Sequence, residues 1–448
     1  MAIDPEELRQ RRQERNMRQA KRVEQQRKLF VKLGIACAVL VACAVMIFVL
    51  VRAKSGDAAA NTTPSESETG ASQEAQEGTG EENTASEETV PEQTEKHPDT
   101  VIHLAAVGDL NVTDRVTASG GTHYDYTGAF LDVAHVLADA DITVLNYEGN
   151  LTGAPYGESS KSVPQELMQA LDRAGVDMVQ LANSYAISKG ISGLAETIQG
   201  VRSAGMEPLG VYEDRAAYRR GKGYTIREVE GIKIAFVAFT KGMDGMALPP
   251  GSENCVNILY EDYESTYEDI DTDGIVEVLE AAQKEKPDIT VAMVHWGSEN
   301  NDSISTSQER IASLMLDNGV DVILGTHAHF MHKAVYDEEE GTLVAYCLGD
   351  FFGDAIQSGT QYSVVLDVEI TKDGRSGKVK ISNVSYTPIY TVSDEDTLRV
   401  VRIREAMKAY EDKYVGAVSA ETYADMQNAL ERIDARLGLV KEETEETE

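Results

Sequence analysis

The chain has 448 residues and a formal net charge of −35, a length that suits roughly two or three domains. The charge is uneven: residues 1–54 hold twelve Lys and Arg against five Asp and Glu, which leaves −42 for residues 55–448. So acidic a body repels nucleic acid, which excludes DNA or RNA binding as the main function. Two of the four cysteines, Cys37 and Cys43, lie in an apolar run; Cys255 and Cys347 make neither a disulfide framework nor a zinc cluster.

Residues 1–32 form a basic tail, expected to be partly helical, which serves either as a topology signal or as a patch for anionic lipid. Residues 33–51 (LGIACAVLVACAVMIFVLV) follow, nineteen without a charge. As a helix this run covers roughly 28 Å, close to the hydrocarbon thickness of a bilayer. It is longer than a signal-peptide core and no small-x-small cleavage site follows it, so the pattern predicts an uncleaved signal-anchor. Ten Lys and Arg precede the run and only Arg52 and Lys54 follow closely, which places the N-terminus in the cytoplasm and the rest outside the plasma membrane. Residues 55–100 are dominated by Gly, Ser, Thr and Glu. They cannot bury enough apolar area to offset their ordering entropy, and predict a disordered acidic spacer. The tail over 438–448 has similar composition.

From Val101 short apolar runs predict strands over 101–107, 142–146, 177–182, 224–229, 232–239, 289–294, 321–324, 343–347 and 362–370. Helical spacing occupies 129–139, 164–174, 192–204, 272–286 and 305–318, and two polar helices are expected within 397–436, outside a main domain at 101–393. Alternation of this kind predicts an α/β fold. Ligands of open α/β sheets sit beyond the carboxyl ends of the strands, and five such ends carry polar clusters: Gly108-Asp109-Leu110-Asn111, Asn146-Tyr147-Glu148-Gly149-Asn150, Ala182-Asn183-Ser184-Tyr185, His295-Trp296-Gly297-Ser298-Glu299 and Gly325-Thr326-His327-Ala328-His329. A Gly-Asp after a strand usually marks a turn. His327 and His329, as alternate residues of an extended segment, would face one side and share a cation. Asp, Glu, Asn and three His on one rim suit a divalent metal such as Mn, Zn or Fe.

In order and spacing, AAVGDLNVTDRV, NYEGNLTG, LANSYAISKG, HWGSEN, GTHAHFMHKAV and YCLGDFF resemble the motifs of the CapA family, linked to capsule and poly-γ-glutamate biosynthesis and similar to calcineurin-type metallophosphoesterases. The resemblance covers roughly residues 101–352. It implies a four-layer αββα sandwich, metal ligation by Asp109, Glu148, His295, His327 and His329, catalytic roles for Asn183 and Glu299, and a polymer-assembly function at the cell surface. Its implied partners are an anionic polymer or other synthesis components, besides the membrane itself. The third motif departs from the family: Ser184 and Tyr185 stand where Asn and His are expected. Thr326 and Ala328 replace His and Pro, and Asp350 replaces Asn, adding a carboxylate. Three functions remain open on this reading: a polymer-assembly factor with a hydrolase or transfer step, an extracellular phosphoesterase, and a non-catalytic polymer-binding module. A polyanion would need a cation bridge or a basic patch on so acidic a surface, and Arg219, Arg220 and Lys222 form the compact basic cluster of the domain.

Overall fold

The structure, a computed structural model, describes residues 98–438 and 441–442, apart from 356 and 395–397. The expected cytoplasmic tail, the membrane span over 33–51 and the spacer up to residue 97 lie outside the described residues. The described residues form one unit.

Its strands in chain order are β1 (Thr100–Asn111), β2 (Ile142–Glu148), β3 (Met178–Gln180), β4 (Glu207–Leu209), β5 (Tyr224–Val229), β6 (Ile232–Thr240), β7 (Ile289–His295), β8 (Val322–Thr326), β9 (Ala334–Asp337), β10 (Thr342–Ala345), β11 (Asp350–Phe352), β12 (Tyr362–Lys372), β13 (Val379–Ser393), β14 (Leu398–Arg402) and β15 (Lys441–Glu442). The helices are α1 (Asp114–Ala118), α2 (Thr127–Phe130), α3 (Ala134–Asp139), α4 (Gln165–Ala174), α5 (Gly190–Ser203), α6 (Arg215–Gly221), α7 (Thr272–Gln283), α8 (Thr306–Asp317), α9 (Ile403–Glu411) and α10 (Ala420–Leu437).

Two sheets result. One runs β14-β13-β12-β1-β2-β3-β4, with β11 added on β1 and β15 on β13; the other runs β5-β6-β7-β8-β10-β9. In the first sheet β1 to β4 are parallel out to one edge and β12 to β14 antiparallel on the other side; in the second β6, β7, β8 and β10 are parallel and the edge strands β5 and β9 antiparallel. Alternate residues of a strand face opposite ways, and here both faces are covered. Ile102, Leu104 and Ala106 of β1 and Val364, Leu366 and Val368 of β12 share one core with Ile234, Phe236, Val291, Met293, Val322 and Leu324 of the second sheet. The outer face of the first sheet packs Val107 and Leu145 against Leu137, Leu167, Leu171 and Ile198. That of the second packs Val237, Phe239 and Val294 against Ile275, Leu279, Ile311 and Met315. Each sheet therefore has the shared core on one face and helices on the other, an α/β arrangement as the alternating pattern predicts.

Local signals set the helix ends. Gly175, at φ 118°, caps α4, and Ser305 with Gln308 forms a reciprocal capping box at α8. The helix expected over 129–139 is two short helices, because Val133 N–H donates to Phe130 O and tightens the chain between them. At the C-terminus the chain returns to the first sheet as β14 before the two expected helices begin. These helices are not merely external: Met426, Ala429, Ile433 and Leu437 of α10 join the core between the sheets. Lys441 and Glu442, expected in the free tail, pair in parallel with Ser385 and Tyr386.

Candidate metal centre

Strand register brings the polar ends together. In the first sheet Asp109 is the partner of Asn146 on one side and of Asp350 on the other, and Asn111 is the partner of Glu148. In the second, His295 pairs with Thr240 and with Thr326. The Gly-Asp at 108–109 is not a turn, because β1 runs on through it. A Cβ at Gly108 would meet Gly349 O at 1.7 Å, so the absent side chain lets β11 approach and Asp109 N–H donate to Gly349 O at 2.9 Å.

Two buried groups of three follow. Glu148, His295 and His327 form one, and Asp109, His329 and Asp350 the other; within each, one donor atom from every residue lies within 4.8 Å of the others. His327 and His329 thus do not share one group. Both have left-handed backbone, at φ 90° and 61°, so the segment is not extended and the ring centroids stand 6.4 Å apart. Such backbone in a non-glycine residue is held only where its surroundings over-determine it, and His327 N–H donating to Asp109 Oδ2 at 3.0 Å is one such tie.

The first group is arranged for a cation. Thr240 Oγ donates to Gly242 O at 2.9 Å and stands 3.1 Å from His295 Nδ1, so the hydroxyl oxygen accepts from Nδ1–H. That partner fixes the tautomer and leaves Nε2 as a lone pair, 2.9 Å from Glu148 Oε1. Two acceptors at that distance call for a positive charge between them. His327 Nε2 is buried without a hydrogen-bond partner among the described residues. Burial, then the charge of Lys241, holds His295 well below its ordinary pKa; burial, then His295, does the same for His327. Both imidazoles are therefore neutral at physiological pH, the form that ligates a metal.

The second group is more strongly charged. His329 Nδ1 lies 2.7 Å from Asp350 Oδ1 and 3.7 Å from Asp109 Oδ2. Burial alone would lower the His329 pKa, but Asp350, Glu148 and Glu299 together drive it well above the ordinary value. Asp109 and Asp350 are raised, by burial first. Asn146 Nδ2 donates to Asp109 Oδ1 at 2.6 Å and reaches Glu148 Oε1 at 3.5 Å, bracing both groups.

Glu299 stands at the mouth, its carboxylate half exposed and 3.7 Å from His329 Nε2. That neighbour is the main reason its pKa falls to about 2. Asn183 reaches the centre through Asn146, its Nδ2 donating to Asn146 Oδ1 at 3.4 Å and to Tyr147 O at 2.6 Å, while its Oδ1 accepts from Tyr185 N–H at 3.0 Å. It braces the loop that carries Tyr185. Arg219 and Arg220 lie in the last turn of α6 and Lys222 caps it, where cations favour the helix C-terminus. Thr240, Lys161 and Lys241 join or flank the centre without having been singled out, and Asn146, named only as part of a strand-end cluster, braces both groups. Asn146 is readable as the same-face neighbour of Glu148 two residues on, and Thr240-Lys241 as a sixth polar strand end.

The fold and site define an α/β protein of two packed sheets whose strand ends carry buried His and carboxylate groups compatible with divalent metal. Residues 103–355 match the family Bacterial capsule synthesis protein PGA_cap, and the chain belongs to that family. It is 25% identical over 288 residues to Capsule biosynthesis protein CapA of Bacillus anthracis, covering 60% of this chain and 64% of that one, which is under two thirds of the relative's length. It is 24% identical over 301 residues to PGA biosynthesis protein CapA of Bacillus subtilis (strain 168), covering 64% and 72%. Among solved structures, a novel phosphatase of Mycoplasma pneumoniae aligns with a TM-score of 0.39 at 14% identity, over 66% of this chain and 96% of that one.

Proposed function

We propose that the chain is a capsule or poly-γ-glutamate assembly factor, carried on the outer face of the plasma membrane by a single helix over 33–51, with a metal-dependent hydrolase or transfer step. Family membership supports the setting, and the layered sheets suit a metallophosphoesterase-type αββα sandwich. The single observation behind the metal step is the His295 Nε2 to Glu148 Oε1 contact of 2.9 Å beside the Nε2 of His327, which has no hydrogen-bond partner among the described residues. Glu148, His295 and His327 would hold one divalent ion, and Asp109, His329 and Asp350 a second. Mn, Zn or Fe suits such mixed nitrogen and oxygen donors. When bound, the ion supplies Lewis-acid polarisation of a carbonyl or phosphoryl oxygen. The chain's own residues fix the ligands: Thr240 sets the His295 tautomer, Asn146 ties Asp109 towards Glu148, and Glu299 stays ionised beside His329.

The test is metal analysis of the full-length protein purified without chelator, with melting curves in EDTA and after adding Mn or Zn, and cleavage of γ-linked polyglutamate. No bound metal and no metal-dependent melting shift would remove the catalytic step. Protease accessibility of the domain in intact cells tests the location. A second reading, a binding-only descendant, is favoured by Tyr185. Burial, then Glu148 and Glu299, pushes its pKa up, so it is a poor general acid. Activity gained in the Ser184→Asn, Tyr185→His variant would identify a degenerate enzyme; unchanged silence would support the binding role.

A further inference from the structure

The domain is strongly acidic, with 76 Asp and Glu against 41 Lys and Arg in the whole chain. Lysines at the mouth of its metal centre would be expected to pair with carboxylates. Two do not. Lys161, in the loop after β2, donates from Nζ to Val112 O at 3.0 Å and stands 4.7 Å from the centroid of the Tyr185 ring. Lys241, just after β6, donates from Nζ to Gly297 O at 2.9 Å and stands 4.6 Å from the centroid of the Tyr267 ring. Among the described residues neither ammonium forms a salt bridge, and each of these hydrogen bonds uses one of three N–H donors. Both side chains are half-buried, so each charge is held against a ring rather than released to solvent.

Their placement is tied to the centre on two sides. Lys161 O accepts from Asn150 N–H at 2.6 Å, two residues past Glu148. Lys241 N–H donates to His295 O at 2.8 Å, one residue past the Thr240 that orients the same histidine. One lysine therefore lies in a loop that follows a strand of the first sheet and the other just past a strand of the second. Both act on Glu299 at the mouth: Lys161 helps hold its carboxyl down, and Glu299 counters the desolvation that lowers Lys241.

We propose that Lys161 and Lys241 form a two-sided anion subsite that grips the pendant carboxylates of an extended acidic polymer where it crosses the metal centre. This rests on the polymer-assembly reading and adds the residues that let an acidic domain hold a polyanion. Each lysine offers a compact, rotatable point charge suited to successive carboxylates, and a charge-assisted hydrogen bond contributes enough to change affinity about tenfold.

The experiment measures binding of a short fluorescein-labelled γ-linked oligoglutamate to the full-length protein by anisotropy, in EDTA and with Mn. Variants are Lys161→Gln, Lys241→Gln, Lys161→Arg and, as a remote control, Arg220→Gln. The expected result is a loss of about tenfold in affinity for each Lys→Gln variant, wild-type binding in Arg220→Gln, partial retention in Lys161→Arg and a weaker salt dependence in the glutamine variants. Metal content at saturating Mn should stay at the wild-type value and the fold should be retained, which separates ligand contact from structural damage. Oligoglutamate bound equally by wild type and both glutamine variants would overturn the subsite and leave the polymer reading standing. No oligoglutamate binding by wild type, with lysine-dependent binding of inorganic phosphate instead, would overturn both.

Discussion

Replacing Gly108 by Ala tests whether the close approach of β1 and β11 builds the second ligand group. The new Cβ would lie 1.7 Å from Gly349 O and 2.8 Å from Gly349 C, both backbone atoms that no rotamer change can move away. Overpacking of this kind costs about 1–3 kcal/mol. Separating the strands also breaks the 2.9 Å bond from Asp109 N–H to Gly349 O, a further loss of about 1 kcal/mol. Restricting the unfolded chain returns roughly 0.4–1 kcal/mol, so the net loss is about 1–3 kcal/mol. Urea denaturation of chelated protein measures it free of metal linkage. Because Asp109 and Asp350 are register partners across these strands, metal titration should show their group weakened while Glu148, His295 and His327 still bind. A stability within about 0.5 kcal/mol of wild type, with unchanged metal stoichiometry, would refute the account of Gly108 as the residue that admits β11.

Thr240→Val removes the acceptor that fixes the His295 tautomer, so metal affinity should fall about 10–100-fold in a competition titration while the fold is retained. Arg436, on α10 beyond the family-matched residues, donates to Met331 O and approaches Asp302 Oδ2 at 3.4 Å, joining the loops that follow His329 and Glu299. Arg436→Ala should weaken metal binding more than it lowers the stability of chelated protein; the reverse ranking would make it a purely structural contact. His103 is raised above its ordinary value of 6.5, first by its hydrogen bond to Asp367. Its contribution is therefore complete below pH 6.5 and is lost as pH rises through the raised value. Both side chains are partly exposed, so the effect stays under about 1 kcal/mol. Urea midpoints of wild type and Asp367→Asn should converge as pH rises, and parallel curves would count against the pair.

The strands that carry the centre were legible because each is buried on both faces and reads as an apolar run ending in a polar residue. Val144 and Leu145 before Asn146, and Met293 and Val294 before His295, are of this kind. β13 was not legible. Its register shifts against β12 where Ile370 pairs with Ile381 and Glu369 with Asn383, so Ser382 is an extra residue and the two-residue period breaks. Pro388 further argues against a strand from sequence. It is tolerated because β14 pairs only from Ile389 onward and β15 only with Ser385 and Tyr386, so no neighbour on that side asks for its missing N–H. The separation of His327 from His329 was hidden for a similar reason. Side-chain alternation assumes extended backbone, and nothing in Thr-His-Ala-His announces two left-handed residues.

The donor set carries its own electrostatic conflict, which narrows what the site can be. Asp109, Glu148 and Asp350 are buried carboxylates close to one another, and burial penalises the charged forms of Asp109 and Asp350. Among the imidazoles His295 and His327 are held neutral and His329 is driven towards its cationic form. The raised values at Asp109, Asp350 and His329 make protons and a divalent ion competitors for the same atoms, since each ligand must lose its proton to bind. Lys161 and Lys241 stand outside both groups, against the Tyr185 and Tyr267 rings, so filling the centre with cations leaves the lysines available to an incoming anion. The acidity of the exterior and the basicity of the mouth are then complementary: the first repels polyanions from the surface at large, and the second admits one at the strand ends where the ligands converge.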